Sequence, residues 1–176
     1  MSTLRVDNLR GQTADGTNRY VVQVVQSIKR DSSSTTSTSP TDTGLEATIT
    51  PTYSTSKILV NSFCGILSYS NNNIGYLLLA RVVGGSTSYP LITDGGGLGE
   101  TNNAFQTTAG FNFGVEDDRT NDTMVLNYLD SPATTSAVTY KIQMQCHSSG
   151  TFQFNKWLQD NNKSGVAFLT LQEIAQ

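Results

Sequence analysis

Few side chains in this sequence have the chemistry for catalysis or metal binding, and none stands in a setting that supplies the rest of a site. His147 is the sole histidine. A Ser-His-Asp relay needs that base beside a nucleophile, in many enzymes on a G-x-S-x-G turn, and the motif does not occur. One histidine also cannot build a His-based metal cluster within one chain. His147 reads as a surface residue on the wet face it shares with Lys141 and Gln143. The run from Glu116 to Asp122 (EDDRTND) has the carboxylate density to hold Ca²⁺ but not the spacing of an EF-hand loop. A solvated hairpin tip is the simpler reading. The glycines between Asp94 and Gly99 are followed by neither Lys-Ser/Thr nor an amphipathic helix, so they make a flexible loop and no phosphate cradle. Paired carboxylates for glycoside cleavage stay open, because their separation is set by the fold; no specific pair stands out. Trp157 is a core side chain by default and a sugar-stacking platform if it sits on an exposed loop. Cys64 and Cys146 lie inside apolar strand patterns and read as small buried hydrophobes. A disulfide between them requires neighbouring strands. No catalytic residue, cofactor or metal ligand is assigned.

The elements that would position such groups are strands throughout. Val138, Tyr140, Ile142 and Met144 alternate with Thr139, Lys141, Gln143 and Gln145. That period of two marks a strand with one buried and one wet face. Met124 to Leu129 is a second strand, and Asp130 to Ser136, with Pro132, is turn chemistry. The expected unit is a β-hairpin with a medium loop. Leu45, Ala47 and Ile49 point inward from another strand. Lys57 to Tyr69 puts Ile58, Val60, Cys64 and Ile66 on one face and Leu59, Phe63, Leu67 and Tyr69 on the other, with Gly65 marking a bulge. Tyr76 to Val83 is apolar on both faces; the stem of Arg81 packs there while its head reaches water or a carboxylate. Tyr20 to Ile28, rich in Val, and Val166 to Ile174 are also apolar on both faces. The last is expected in the middle of a sheet, with Val166 and Phe168 facing one way and Ala167, Leu169 and Leu171 the other. Shorter strands are expected at Tyr89 to Ile92, Phe105 to Val115 and Thr151 to Phe154. Asp31 to Gly44 is low in complexity and reads as an exposed Ser/Thr-rich loop. No segment keeps a 3.6-residue period. The pattern is that of an all-β, antiparallel, jelly-roll-like sandwich.

At 176 residues the chain has room for one domain with a sizeable core. Its charged share is 14% and its net charge −3, with no basic stripe, which argues against nucleic acid as a partner. No apolar run approaches a membrane span and no apolar signal region opens the chain, so folding in a cytosol is expected. Residues 1–19 form an N-terminal segment poor in core, with Leu4, Val6 and Leu9 as its sizeable apolar side chains. Residues 20–176 form the sandwich domain. Four strands that are apolar on both faces leave too much apolar surface for a lone sandwich, so copies are expected to cover one another.

Tyr128 to Lys141 (YLDSPATTSAVTYK), Leu169 to Ala175 (LTLQEIA), Leu45 to Pro51, Ser56 to Val60 and the opening Met1 to Val6 carry a resemblance. The chain resembles the β-sandwich domain of phage virion appendages, especially tail-fibre-like proteins of marine phages. The resemblance implies a non-enzymatic structural protein of the virion, assembled in the host cytoplasm as a homotrimer. Its N-terminal segment, through Leu4, Val6 and Leu9, would dock to other virion proteins, and its loops would meet a host-surface glycan or protein. A capsid decoration or cement protein (a head fibre) is the alternative address for the same fold. A polysaccharide-degrading enzyme is the reading from a different class.

Overall fold

The computed structural model describes residues 19–69, 74–90, 109–112, 121–146, 150–156 and 164–176. The strands are β1 (Val21–Lys29), β2 (Ser33–Thr35), β3 (Thr41–Ile49), β4 (Lys57–Tyr69), β5 (Ile74–Val83), β6 (Ser86–Ser88), β7 (Ala109–Asn112), β8 (Asn121–Asp130), β9 (Val138–Cys146), β10 (Phe152–Phe154) and β11 (Ala167–Ile174). They form two antiparallel sheets packed as a sandwich. In sheet 1, β4 lies between β8 and a lane made of β11 followed by β10; β1 and β2 form the outermost lane beside β11 and β10. In sheet 2, β9 lies between β3 and β5, and β6 and β7 share the far side of β5. Each sheet is therefore four lanes wide.

The alternation seen in sequence places the core. Leu45, Ile49, Ile58, Val60, Val138, Tyr140, Ile142, Met144, Phe152, Phe154, Leu169 and Leu171 are buried between the sheets. Fully burying one such side chain contributes about 1.5–3 kcal/mol, so this face decides which way each strand turns. Phe152 of sheet 1 lies flat on Gly75 of sheet 2, where a Cβ would come within 2.5 Å of the ring. The final strand is central in its sheet, as its two-sided apolar pattern requires.

The Met124–Gln145 stretch is not a hairpin. β8 pairs with β4 in sheet 1, whereas β9 pairs with β3 and β5 in sheet 2. The turn-forming residues 131–137 cross from one sheet to the other, and Ala133 takes a left-handed φ of 51° there. Leu67 is also on the other face from the one expected. The β4–β8 register slips between Cys64 and Leu67, which changes the parity of the strand and turns Leu67 into the core at 0% exposure. Residues 31–44 are not one loop: Ser33–Thr35 pairs with β10, and β3 begins at Thr41. Threonines carry this, since their branched Cβ suits strands. The Thr43 hydroxyl donates to the Ile142 carbonyl at 2.6 Å, and Thr35 and Thr41 hydroxyls meet at 3.1 Å. The short strand after β5 is Ser86–Ser88, upstream of Tyr89. Of the strand expected at 105–115, β7 covers Ala109–Asn112 and the remainder is outside the described residues.

Gly65, as expected, sits at a bulge. Asn155, at φ 60°, pushes its side chain into the space a Cβ on Gly65 would fill. Its Nδ2 donates to the Lys29 and Asp31 carbonyls at 3.2 and 3.0 Å, tying the β10–β11 excursion to the end of β1. Gly65→Ala forces these groups apart, an overpacking that costs about 1–3 kcal/mol. A lowered urea midpoint with unchanged slope is the expected reading, and an unchanged midpoint would show that Asn155 swings away freely.

Candidate interaction surface

The outer face of sheet 1 is where the exposed apolar side chains collect. Register brings them into rows across the strands. Ile28 on β1 stands beside Phe168 on β11, which stands beside Phe63 on β4, which stands beside Val125 on β8. Ile28 is 50% exposed and Val125 71%. The Phe63 and Phe168 rings stack with centroids 5.6 Å apart. Two residues along, Gln26, Thr170, Asn61 and Asn127 make a polar row, with Gln26 Nε2 donating to Thr170 Oγ1 at 2.9 Å. Two further along, Val24, Gln172, Leu59 and Leu129 are again mainly apolar. Nearest the chain ends stand Ile174 and Lys57. Among the strand residues of this face, Lys57 is the one charged side chain.

Sheet 2 is different. On its outer face Tyr76, Leu78, Ala80 and Gln145 are buried by the chain itself. The two-sided apolarity of β5 is thus satisfied within one copy and needs no partner, contrary to the expectation for that strand. Gln145 was expected on the wet face but is buried, and its Oε1 finds no hydrogen-bond partner among the described residues. The rest of this face is a connected polar strip. Tyr89 donates to Gln143 Oε1 at 2.9 Å, Gln143 Nε2 donates to Asp42 Oδ1 at 2.6 Å, and Lys141 Nζ lies 3.0 Å from both Asp42 and Glu46. The hydrogen bond from Gln143, helped by Lys141, holds the Asp42 carboxyl below its usual range.

Two buried carboxylates sit at the pole where the chain enters and leaves. Asp130 accepts from Arg81 Nη1 with both of its oxygens, at 2.7 and 2.9 Å, and from the Tyr140 hydroxyl at 2.6 Å. This is the carboxylate that the Arg81 head was expected to find. Burial, then the adjacent Asp130 charge, push the Tyr140 hydroxyl far above its ordinary pKa, so it donates at every accessible pH. Glu173, fully buried at the end of β11, accepts from Gln23, the Thr52 amide and hydroxyl, the Tyr53 amide and the Ser56 hydroxyl. Both carboxylates are saturated with donors, an arrangement that holds loops in place and leaves no lone pair aimed at a substrate.

Cys64 and Cys146 are free and buried. Burial pushes the Cys64 thiol up to about 11. The Cys146 thiol donates to the Thr35 carbonyl at 3.4 Å. Native protein at pH 8 is therefore expected to leave both thiols unmodified by Ellman's reagent, with full labelling in denaturant. Rapid labelling of Cys64 without denaturant would contradict its placement.

Leu4, Val6, Leu9, His147 and Trp157 lie outside the described residues, as do the Glu116–Asp122 run up to position 120 and the glycines at 95–99. The row pattern of sheet 1 was missed in sequence because each row is drawn from four separate strands; only the alternation within each strand was visible. The chain matches no family model and no curated protein.

Proposed function

We propose that this chain is a structural virion protein, a jelly-roll module of a tail-fibre-like phage appendage. It assembles as a homotrimer, is held to the particle by its N-terminal segment, and turns loops toward the host surface. One observation carries the reading: an outer sheet face with exposed apolar rows and almost no charge, on a chain whose other outer face is partly buried by the chain itself and otherwise polar. A lone soluble domain rarely leaves such a patch bare. Lane order supports the jelly roll. Counting lanes along the chain, sheet 1 runs first, eighth, third, sixth and sheet 2 runs second, seventh, fourth, fifth. The chain thus keeps crossing between sheets, as in two nested Greek keys.

Placement of the ends supports the address. The Ala175 amide donates to the Tyr20 carbonyl at 3.0 Å, so Tyr20, where the sandwich begins, and Ala175 lie at the same pole. β4, at 13 residues, carries the chain about 40 Å to the opposite pole at ~3.3 Å per residue. A spike gripped at one pole presents the other, and three weak sites on one spike gain effective concentration from each other.

Light scattering of the purified chain, 19.0 kDa per copy, tests assembly: a mass three times that supports the trimer, and a monomer overturns it. Gold-labelled antibody on intact particles tests the address. Label at the tail supports the appendage; label spread over the capsid overturns it in favour of a decoration protein.

A further inference from the structure

The banding of sheet 1 says how copies would meet. Its rows run at right angles to the strands, so a rotation axis parallel to the strands keeps every row at its own height. Apolar row then meets apolar row, and the Gln26–Thr170–Asn61–Asn127 row meets itself. That row suits self-pairing, because a primary amide both donates and accepts. The side-chain amides of Asn61 and Asn127 make no hydrogen bond among the described residues. The near absence of charge points to the same occupant. A face of this kind gives a nucleic acid or an anionic surface nothing to grip, while two uncharged faces meet without a repulsive pair.

We infer that the outer face of sheet 1 is the contact between copies of this chain, around an axis parallel to its strands, so that Ile28 on β1 of one copy meets Val125 on β8 of the next. Two observations select this axis over one lying across the strands. The stacked Phe63–Phe168 pair stands on the two central lanes, β4 and β11, and so falls at the axis, where aromatic area is best excluded from water. Tyr20 and Ala175 also lie at one pole. A parallel axis gathers the N-terminal segments of all copies at one end of the assembly, whereas a two-fold across the strands sends them to opposite ends. The inference rests on the oligomeric appendage reading and adds its contact face and direction.

Paired cysteines read the register directly. In Ile28→Cys/Val125→Cys, mild oxidation with oxidised glutathione is expected to link copies into species of two and three chains on non-reducing gels. The height-mismatched Ile28→Cys/Leu129→Cys should give none, and neither should Ile28→Cys/Val24→Cys, which an axis across the strands would join. Wild type should give none, because Cys64 and Cys146 are buried. Val125→Asp, at a position 71% exposed in one copy, should shift light scattering to the monomer with an unchanged circular dichroism spectrum. Linkage in either control pair, or none in the matched pair while scattering still reads an oligomer, overturns this contact and leaves the proposed function standing. A wild-type monomer overturns both.

Discussion

Asp130→Ala lowers the stability of the sandwich by about 3–5 kcal/mol, the usual cost of removing one partner from a buried ion pair. Asp130 is 1% exposed and ends β8 in sheet 1; Arg81 and Tyr140 belong to β5 and β9 in sheet 2. The carboxylate is therefore the polar bolt between the sheets at this pole, and its Oδ1 also accepts from the Ser131 amide at 2.8 Å, shaping the crossover that follows. Without it, a guanidinium that is 20% exposed loses its carboxylate partner and a buried tyrosine hydroxyl loses its acceptor. Tyr140→Phe removes one charge-assisted hydrogen bond and should cost less, about 1.5–3 kcal/mol. Urea midpoints of the two variants and of the pair together check this. The double variant should lose less than the sum, since both changes remove the same bond. A loss below about 1 kcal/mol in Asp130→Ala would mean that water reaches Arg81 and takes the place of the carboxylate.

Glu173→Gln costs about 3 kcal/mol at pH 7, on the basis of ~1.5–3 kcal/mol per hydrogen bond to a charged group, partly recovered by the amide oxygen. Its five donors come from β1 and from the loop between β3 and β4. An amide can accept from some of them, but its NH₂ then faces others. Burial raises the Glu173 pKa, yet the hydrogen bonds from Gln23, Ser56, Thr52 and Tyr53 together outweigh burial and leave it lowered. A carboxyl with a lowered folded-state pKa contributes stability that is fully present above its unfolded value, about 4.3, and that is lost as pH falls through the folded value. Wild type should therefore lose stability below about pH 4.3, while Glu173→Gln is weaker at neutral pH and flatter across that window. Asp31 and Asp42 are lowered as well, but both are exposed and contribute little. Thermal midpoints of both proteins from pH 7 to pH 3 check the difference. Parallel curves would remove Glu173 from the acid response.

The faces of most strands were legible because alternation is a local property. Val138 to Met144 and Leu45 to Ile49 read correctly from sequence alone, and so did the middle position of β11. What alternation does not encode is the partner. Nothing in Met124–Leu129 says which sheet it joins, so a turn that joins sheets and a turn that closes a hairpin look alike. Leu67 was lost to a single bulge residue, since one extra position in β4 exchanges the two faces from there onward. Thr35 and Thr43 were passed over because a Ser/Thr run is polar by composition, although here the Thr43 hydroxyl satisfies the Ile142 carbonyl and the Thr35 hydroxyl accepts from the Ser37 amide. Gln145 looked wet because it alternates with Met144, while the outer face of sheet 2 is covered at that level. The outer face of sheet 1 was half visible: β1, β4 and β11 read as apolar on both faces, but only register turned Ile28, Phe168, Phe63 and Val125 into a row.

The neighbouring placement of Tyr20 and Ala175 has a mechanical consequence. Tension applied between the two chain ends would peel β1 from β11, breaking the ladder one bond after another from its weak end. Tension applied from this pole to the opposite one runs instead along the strands, and loads many bonds in shear at once. The same sandwich is therefore easily unzipped in one direction and resistant in the other.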